Sequence, residues 1–237
     1  MTVHKPLALL RAEHHLITKV LDVLDLVETS FEQEGPAPVS FYNDVLAFTR
    51  QFVNRWHHNK EESSLFAHLR NHPGAATHRA FLIGERDHRV IRSLLADSIR
   101  QYPLAHEGDG EAGLILHEDL VEYGGILRRH IHDEESEIYP LAEAFFSDQE
   151  WEVVAAEFTA LAEDPQNPWV VPQRFLLQVE DLQRQVAEIV RQTTVEHARS
   201  LQWTNLGMPP YSGNDPDGRN LPLSASYAIP PARQPKP

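Results

Sequence analysis

The stretch LRRHIHDEESEIYPLAE, residues 127–143, is too polar for a buried helix and too regular for a loop. Steps of three and four residues select Leu127, His130, Glu134, Ile138 and Leu141, which share one face if the segment is helical. An ionisable pair then sits in the middle of an apolar stripe, where an unpartnered charge is costly to bury. Something in the core must meet His130 and Glu134.

The same rhythm runs through the first two thirds of the chain. Leu7, Leu10, His14, Ile17, Leu21 and Leu24 predict a first helix, stopped by GPAP at 35–38. A second is expected from about Val39 to Leu69. The third starts near Thr77 and carries Phe81, Gly84, His88, Ile91, Leu95 and Ile99 on its stripe. The fourth runs through Leu116, Leu120, Tyr123, Leu127 and His130 to about Phe146. NHPGAA and HEGDGEAG (106–113) supply the breaks, and no strand-like alternation competes. The predicted fold class is all-α, an antiparallel up-down-up-down four-helix bundle over residues 1–147.

Additional C-terminal helices follow. Ser147-Asp148-Gln149-Glu150 reads as a capping box that opens a helix through Ala162. After EDPQNPWVVP, an amphipathic helix is expected from about Gln173 to Leu201, with Phe175, Val179, Leu182, Val186 and Ile189 on one face. This extension, residues 148–203, either covers the bundle or offers a surface for a homodimer or protein partner through 173–201. Residues 204–237 form a Pro/Gly-rich tail expected to be irregular.

Composition narrows the function. A net charge of −14 over 237 residues argues against a nucleic-acid or anionic-membrane surface. The absence of cysteine removes disulfides, iron–sulfur clusters and thiolate metal sites. No apolar run approaches the ~20 residues of a membrane span, and MTVHKPLALLRAEHH is too short and polar for a signal peptide. A cytoplasmic protein is the expectation. Of 14 histidines, 13 lie between His4 and His132, which places their role in the bundle.

Each predicted bundle helix sets one histidine on or beside its stripe: His14, His57, His88 and His130. Helices two and four add a glutamate four residues later, His57–Glu61 and His130–Glu134, a step that brings both side chains onto one face. Counted from the predicted helix ends at about 1.5 Å per residue, all six fall in one layer. Helices two and four run the same way, so both glutamates lie on the same side of their histidines. That arrangement suits two carboxylates bridging two metal ions. His57 is chosen over His58 because steps back from it meet Val53, Leu46 and Tyr42, whereas steps back from His58 meet Asn54, Gln51 and Ala47. His15, His58, His68, His72, His78, His106, His117, His132 and His197 are read as surface residues. One such histidine, or one His-x-x-x-Glu, is commonly a satisfied structural pair; the linked set argues for metal. Nitrogen and oxygen ligation without cysteine favours iron, manganese or zinc, and bridging glutamates favour a redox pair such as di-iron.

Taken together, EHHLI (13–17), HHNKEESSLF (57–66), ERDHRVIRSL (85–94) and HIHDEESEIYPLAE (130–143) resemble the hemerythrin, or HHE cation-binding, family over about residues 5–147. The resemblance implies a left-handed four-helix bundle with a non-haem centre of two iron ions, zinc or manganese being the substitutes. Its implied ligands are His14, His57, Glu61, His88, His130 and Glu134, and its implied partner is a small diatomic ligand or peroxide. Oxygen-carrying members have a second histidine four residues after that of helix three, where this chain has Arg92. They also place the last carboxylate five residues after its histidine, not four. Both departures resemble the bacterial branch of the family and point away from reversible O2 carriage. Glu62, His58, Tyr123 and water are the alternatives for the position that Arg92 leaves.

Arg92 and Tyr123 are expected beside the centre. Arg92, one turn after His88, can donate to a bridging glutamate or an anionic ligand, or else pair with a surface carboxylate. Tyr123, seven residues before His130, is on the right face, which packing alone also explains. The expected function is to bind or sense O2 or NO or to handle iron; the alternative is a di-iron enzyme turning over peroxide or NO.

Overall fold

The structure, a computed structural model, describes residues 4–34, 37–164 and 166–205. Nearly all of the predicted irregular tail therefore lies outside the described residues. The chain divides into two compact units, residues 1–190 and 191–237, and the first contains the bundle and the polar layer described below.

Helix α1 spans Lys5–Glu34. The second bundle helix occupies 39–70 as one rod of changing pitch: α2 (Val39–Phe48), π-helical turns at Thr49–His58 and Glu61–Leu65, then α3 (Phe66–Arg70). NHPGAA, read as a plain break, holds a single turn, α4 (Pro73–Ala76), opened by a proline whose missing N–H is tolerated in a first turn. The third bundle helix is α5 (Arg79–His106). The fourth is α6 (Gly110–Asp133), continued by a π-helical turn at Glu134–Ile138 and α7 (Tyr139–Phe145). Between α5 and α6, Gly108 takes a φ of 97°, a conformation that side chains disfavour, and the Asp109 carboxylate caps α6 by accepting from the N–H groups of Glu111 and Ala112.

Helix α8 (Asp148–Leu161) begins with both halves of the predicted capping box: Ser147 Oγ accepts from the Glu150 N–H, and Glu150 Oε2 accepts from the Ser147 N–H. Helix α9 spans Gln173–Asn205. The chain is therefore all-α among the described residues, and none of its helices is long and apolar enough to cross a membrane.

Two apolar clusters fill the interior, with a polar layer between them. One cluster joins Leu16–Val27 of α1, Phe41–Val53 of the second rod, Ile91 and Leu95 of α5, and Leu116–Ile131 of α6. The other joins Leu7–Leu10, Leu65–Leu69, Ala80 and Phe81, and Ile138–Phe146. Successive bundle helices pass between the clusters in opposite order, so each crosses the polar layer once. Gly84 lets α5 approach the fourth helix beside that layer, since a Cβ there would lie 2.7 Å from Ile138 Cδ1.

The extension packs on the bundle in two places. Trp151, Val154 and Phe158 of α8 are buried in the second cluster. Phe175, Val179, Leu182 and Val186 of α9 are buried in the first, with Phe175 against Phe52 at 4.6 Å between ring centroids. Burying side chains of this size contributes about 1.5–3 kcal/mol each. The stripe that sequence offered to a partner is thus spent on the chain's own core, leaving Leu176 and Leu177 on the outer side.

Candidate metal centre

The polar layer holds seven side chains, each at most 1% exposed: His14 from α1, His57, His58 and Glu61 from the second rod, His88 from α5, and His130 and Glu134 from the fourth helix. Their ligand atoms form two groups, His14 with His57, Glu61 and Glu134, and His58 with Glu61, His88 and His130. Within each group the atoms lie within 4.8 Å of one another. Glu61 belongs to both, its Oε2 lying 3.5 Å from His57 Nε2 and 3.5 Å from His88 Nε2. Glu134 also faces both ways. Its Oε2 is 3.2 Å from His14 Nε2, and its Oε1 is 3.1 Å from His130 Nε2. All six residues singled out by sequence come together here.

The seventh, His58, corrects the sequence reading, which put it on the surface. It is fully buried, stacked on His88 at 4.1 Å and edge-on to His130 at 5.7 Å between ring centroids. The reason is the π-helical turn. Such turns pair residue i with i+5 and widen the helix, and they are frequent at functional sites. Steps of three and four back from His58 meet polar residues, but five back is Val53, and five back from His57 is Phe52; both are fully buried. A wide turn therefore keeps two adjacent histidines on the core, one facing α1 and the other facing α5 and α6. His58, one of the four alternatives for the position that Arg92 leaves, has its ring beside those of His57, His88 and His130. His117 also proves buried, hydrogen-bonded to Tyr42 Oη at 3.0 Å and away from the layer. His68 and His72 are half-buried in ion pairs with α8.

The π-helical turn at Glu134–Ile138 brings in a tyrosine that sequence missed. Tyr139, five residues after Glu134, is fully buried; its hydroxyl donates to Glu61 Oε1 at 2.9 Å and lies 3.2 Å from His14 Nε2. Tyr123, the tyrosine expected at the site, lies in the apolar cluster with no hydrogen bond to its hydroxyl. Arg92 does not reach Glu61 or Glu134. It pairs with Glu62, a half-exposed carboxylate that also accepts from His88 Nδ1 at 2.7 Å. Two further carboxylates do the same for other imidazoles, Glu135 accepting from His14 Nδ1 at 2.8 Å and Glu13 from His57 Nδ1 at 3.0 Å. A proton fixed on Nδ1 leaves the Nε2 lone pair for the centre. Glu13 was legible as the residue between Leu9 and Ile17 at steps of four on α1.

The charges within the layer lean on one another. Burial opposes the charged form of His14, but the Glu134 and Glu135 carboxylates beside it outweigh that and push the imidazole up to about 9. His88 is raised in the same way, against burial, by Glu134, Glu61 and Glu62. Burial and then the neighbouring His88, His57 and His130 hold His58 well below the ordinary histidine value. Glu134 resists burial and stays far below the usual carboxylate range because His130, His14 and His88 surround it. The layer thus keeps the anionic Glu134 carboxylate and the neutral His58 imidazole side by side.

These residues fit a bound cation. Both nitrogens of His58 and His130, His88 Nε2, Glu61 Oε2 and both oxygens of Glu134 are buried without a hydrogen-bond partner. Buried polar atoms are almost always satisfied, and each unsatisfied one costs about 1–3 kcal/mol. One such atom from each residue, gathered within 4.8 Å of its neighbours, makes the nitrogen and oxygen donor set that a divalent ion requires.

A family model for the hemerythrin HHE cation-binding domain matches residues 5–142, more than half of the chain. The chain belongs to this family. No curated protein and no solved structure matches it. The matched hemerythrin domain ends within α7, so all seven buried residues of the layer lie inside it.

Proposed function

We propose that this hemerythrin-family chain holds two iron ions, bridged by Glu61 and Glu134, and uses them to bind or sense O2 or NO or to handle iron. The observation that carries this reading is the pair of buried ligand groups sharing Glu61. His14 and His57 would hold one ion and His58, His88 and His130 the other, with zinc or manganese as substitutes for iron. Bound iron supplies a redox-active Lewis acid that can bind and polarise a small oxygen- or nitrogen-containing ligand.

The chain's own residues set the conditions. Glu13, Glu62 and Glu135 orient three imidazoles, and the apolar clusters on either side keep bulk water from the layer. With Arg92 paired outward to Glu62, the third helix supplies one histidine and no second, which supports placement in the bacterial branch. The bundle of residues 1–147 is read as the metal-binding domain, 148–203 as its cover, and the cytoplasm as its location.

A second reading, an enzyme turning over peroxide or NO, is favoured by Tyr139. Its hydroxyl places a proton donor between Glu61 and His14 in an otherwise dry layer. Metal analysis of protein purified without oxygen tests the main reading, followed by visible spectra on admitting air and then azide or peroxide. About two irons per chain and a spectrum that responds to azide are expected. Zinc alone after iron-replete expression, or no metal, overturns it.

A further inference from the structure

Beside the layer lies a buried ion pair that the metal-holding role does not require. Glu13 is 0% exposed and Lys60 is 1% exposed. Glu13 Oε1 accepts from Lys60 Nζ at 2.6 Å and from Trp56 Nε1 at 2.7 Å, while Oε2 accepts from His57 Nδ1 at 3.0 Å. Lys60 also donates to the Trp56 carbonyl at 3.1 Å and lies 4.2 Å above the Trp56 ring. Both oxygens are committed to three donors on the second rod, so Glu13 acts on the centre through His57.

Taking such a pair out of water costs several kcal/mol per ion, and a well-packed apolar pair of similar size is commonly as stable. An apolar pair could not place a fixed negative charge on His57 Nδ1. The other imidazoles are served differently. Glu135 and Glu62 are about 40% and 35% exposed, and Glu62 is shared with Arg92. His58 and His130 have no hydrogen-bond partner on Nδ1 at all.

We propose that Glu13 is the positioning residue for His57, locked by Lys60 and Trp56, and that it sets the metal position between His14 and His57 apart from that among His58, His88 and His130. The inference rests on the two-metal reading given above. The carboxylate fixes the imidazole tautomer, holds the ring so that Nε2 faces Glu61, and increases the donor strength of that nitrogen. Removing such a partner lowers metal affinity about 10–100-fold in related arrangements.

The test is a Co2+ titration of metal-free full-length chain without oxygen, followed by calorimetry and the visible cobalt bands. Wild type is expected to bind two Co2+ ions in two resolvable steps. Glu13→Gln keeps the shape but removes the charge, and should weaken one step about 10–100-fold while leaving the other within a few-fold. If Glu13→Gln alone does not fold, because Lys60 is left unpaired, the double variant Glu13→Gln/Lys60→Met removes both charges and carries the same expectation. A merely structural role would lower the melting temperature and move both steps together or neither. Equal weakening of both steps, or two wild-type affinities in the double variant, overturns the proposal while the two-metal reading stands. Wild type that takes up no Co2+ overturns both.

Discussion

His57–Glu13 in the bundle core and His68–Glu157 at the seam with α8 pair the same two side-chain types at 3.0 and 3.2 Å. The first pair is wholly buried; at the seam the histidine is 19% and the glutamate 40% exposed. His72–Glu150, at 2.7 Å, repeats the seam arrangement. Distance alone would rank these contacts alike. Water separates them, because a solvated pair contributes about 0–1 kcal/mol whereas breaking a buried pair costs about 3–5 kcal/mol. The core pairs also converge on a shared space, and the seam pairs do not. The same chemistry therefore forms a candidate metal centre in one place and fastens a helix in the other.

The sharpest break in that contrast comes from Glu61 and Glu134, the two glutamates proposed to bridge. Glu61→Ala or Glu134→Ala is expected to lose at least one metal ion and to destabilise the chain by about 3–5 kcal/mol, read by elemental analysis and denaturant unfolding. Full metal content in either variant would show that the carboxylate does not bridge.

Next come two equally buried histidines. His58→Ala should lower metal content and bleach the spectrum as His57→Ala does. His117→Ala should cost about 1–3 kcal/mol for the hydrogen bond that the buried Tyr42 hydroxyl loses, and leave metal content unchanged. Equal metal loss in both would mean that burial, not position in the layer, governs the effect.

Arg92 is expected to matter less. Arg92→Ala removes a pair whose side chains are 40% and 35% exposed, so the loss should stay below about 1 kcal/mol, with metal content retained. Burial opposes the charge of Glu62, but His88 and Arg92 hold it down at about 2. Metal loss in this variant would bring Arg92 into the centre after all.

The smallest effect belongs to the seam. The Ser147 backbone and hydroxyl, then His72, hold the partly exposed Glu150 down at about 2 against an ordinary value of 4.5. Because the folded value is depressed, its contribution is present above about 4.5 and is lost as pH falls from there towards 2. Glu150→Gln should flatten the dependence of melting temperature on pH in that window without changing metal content. A wild-type slope in the variant would remove Glu150 from the seam.

Much of this was legible in the residues. Stripes at steps of three and four give the four bundle helices to within a few residues, because a helix buries whatever recurs at its own period. The capping box at Ser147 reads directly because it is a local exchange of hydrogen bonds. The six-residue set His14, His57, Glu61, His88, His130 and Glu134 shared a layer by counting alone.

What sequence could not supply was pitch and partnership. An α-helical period assigns His58 to a polar face, and only the π-helical turn, formed within a packed rod, links it to Val53 and brings it inward. The turn at Glu134–Ile138 likewise sets Tyr139, not Tyr123, against Glu61. Spacing allowed Arg92 either setting, and only the position of Glu62 decided that it turns outward. Lys60 and Glu13 lie 47 residues apart and meet because two helices cross, a contact that no local spacing encodes. Periodicity reports which face a residue takes within its own helix. What that face meets, and how wide the turn beneath it is, are settled when the helices pack.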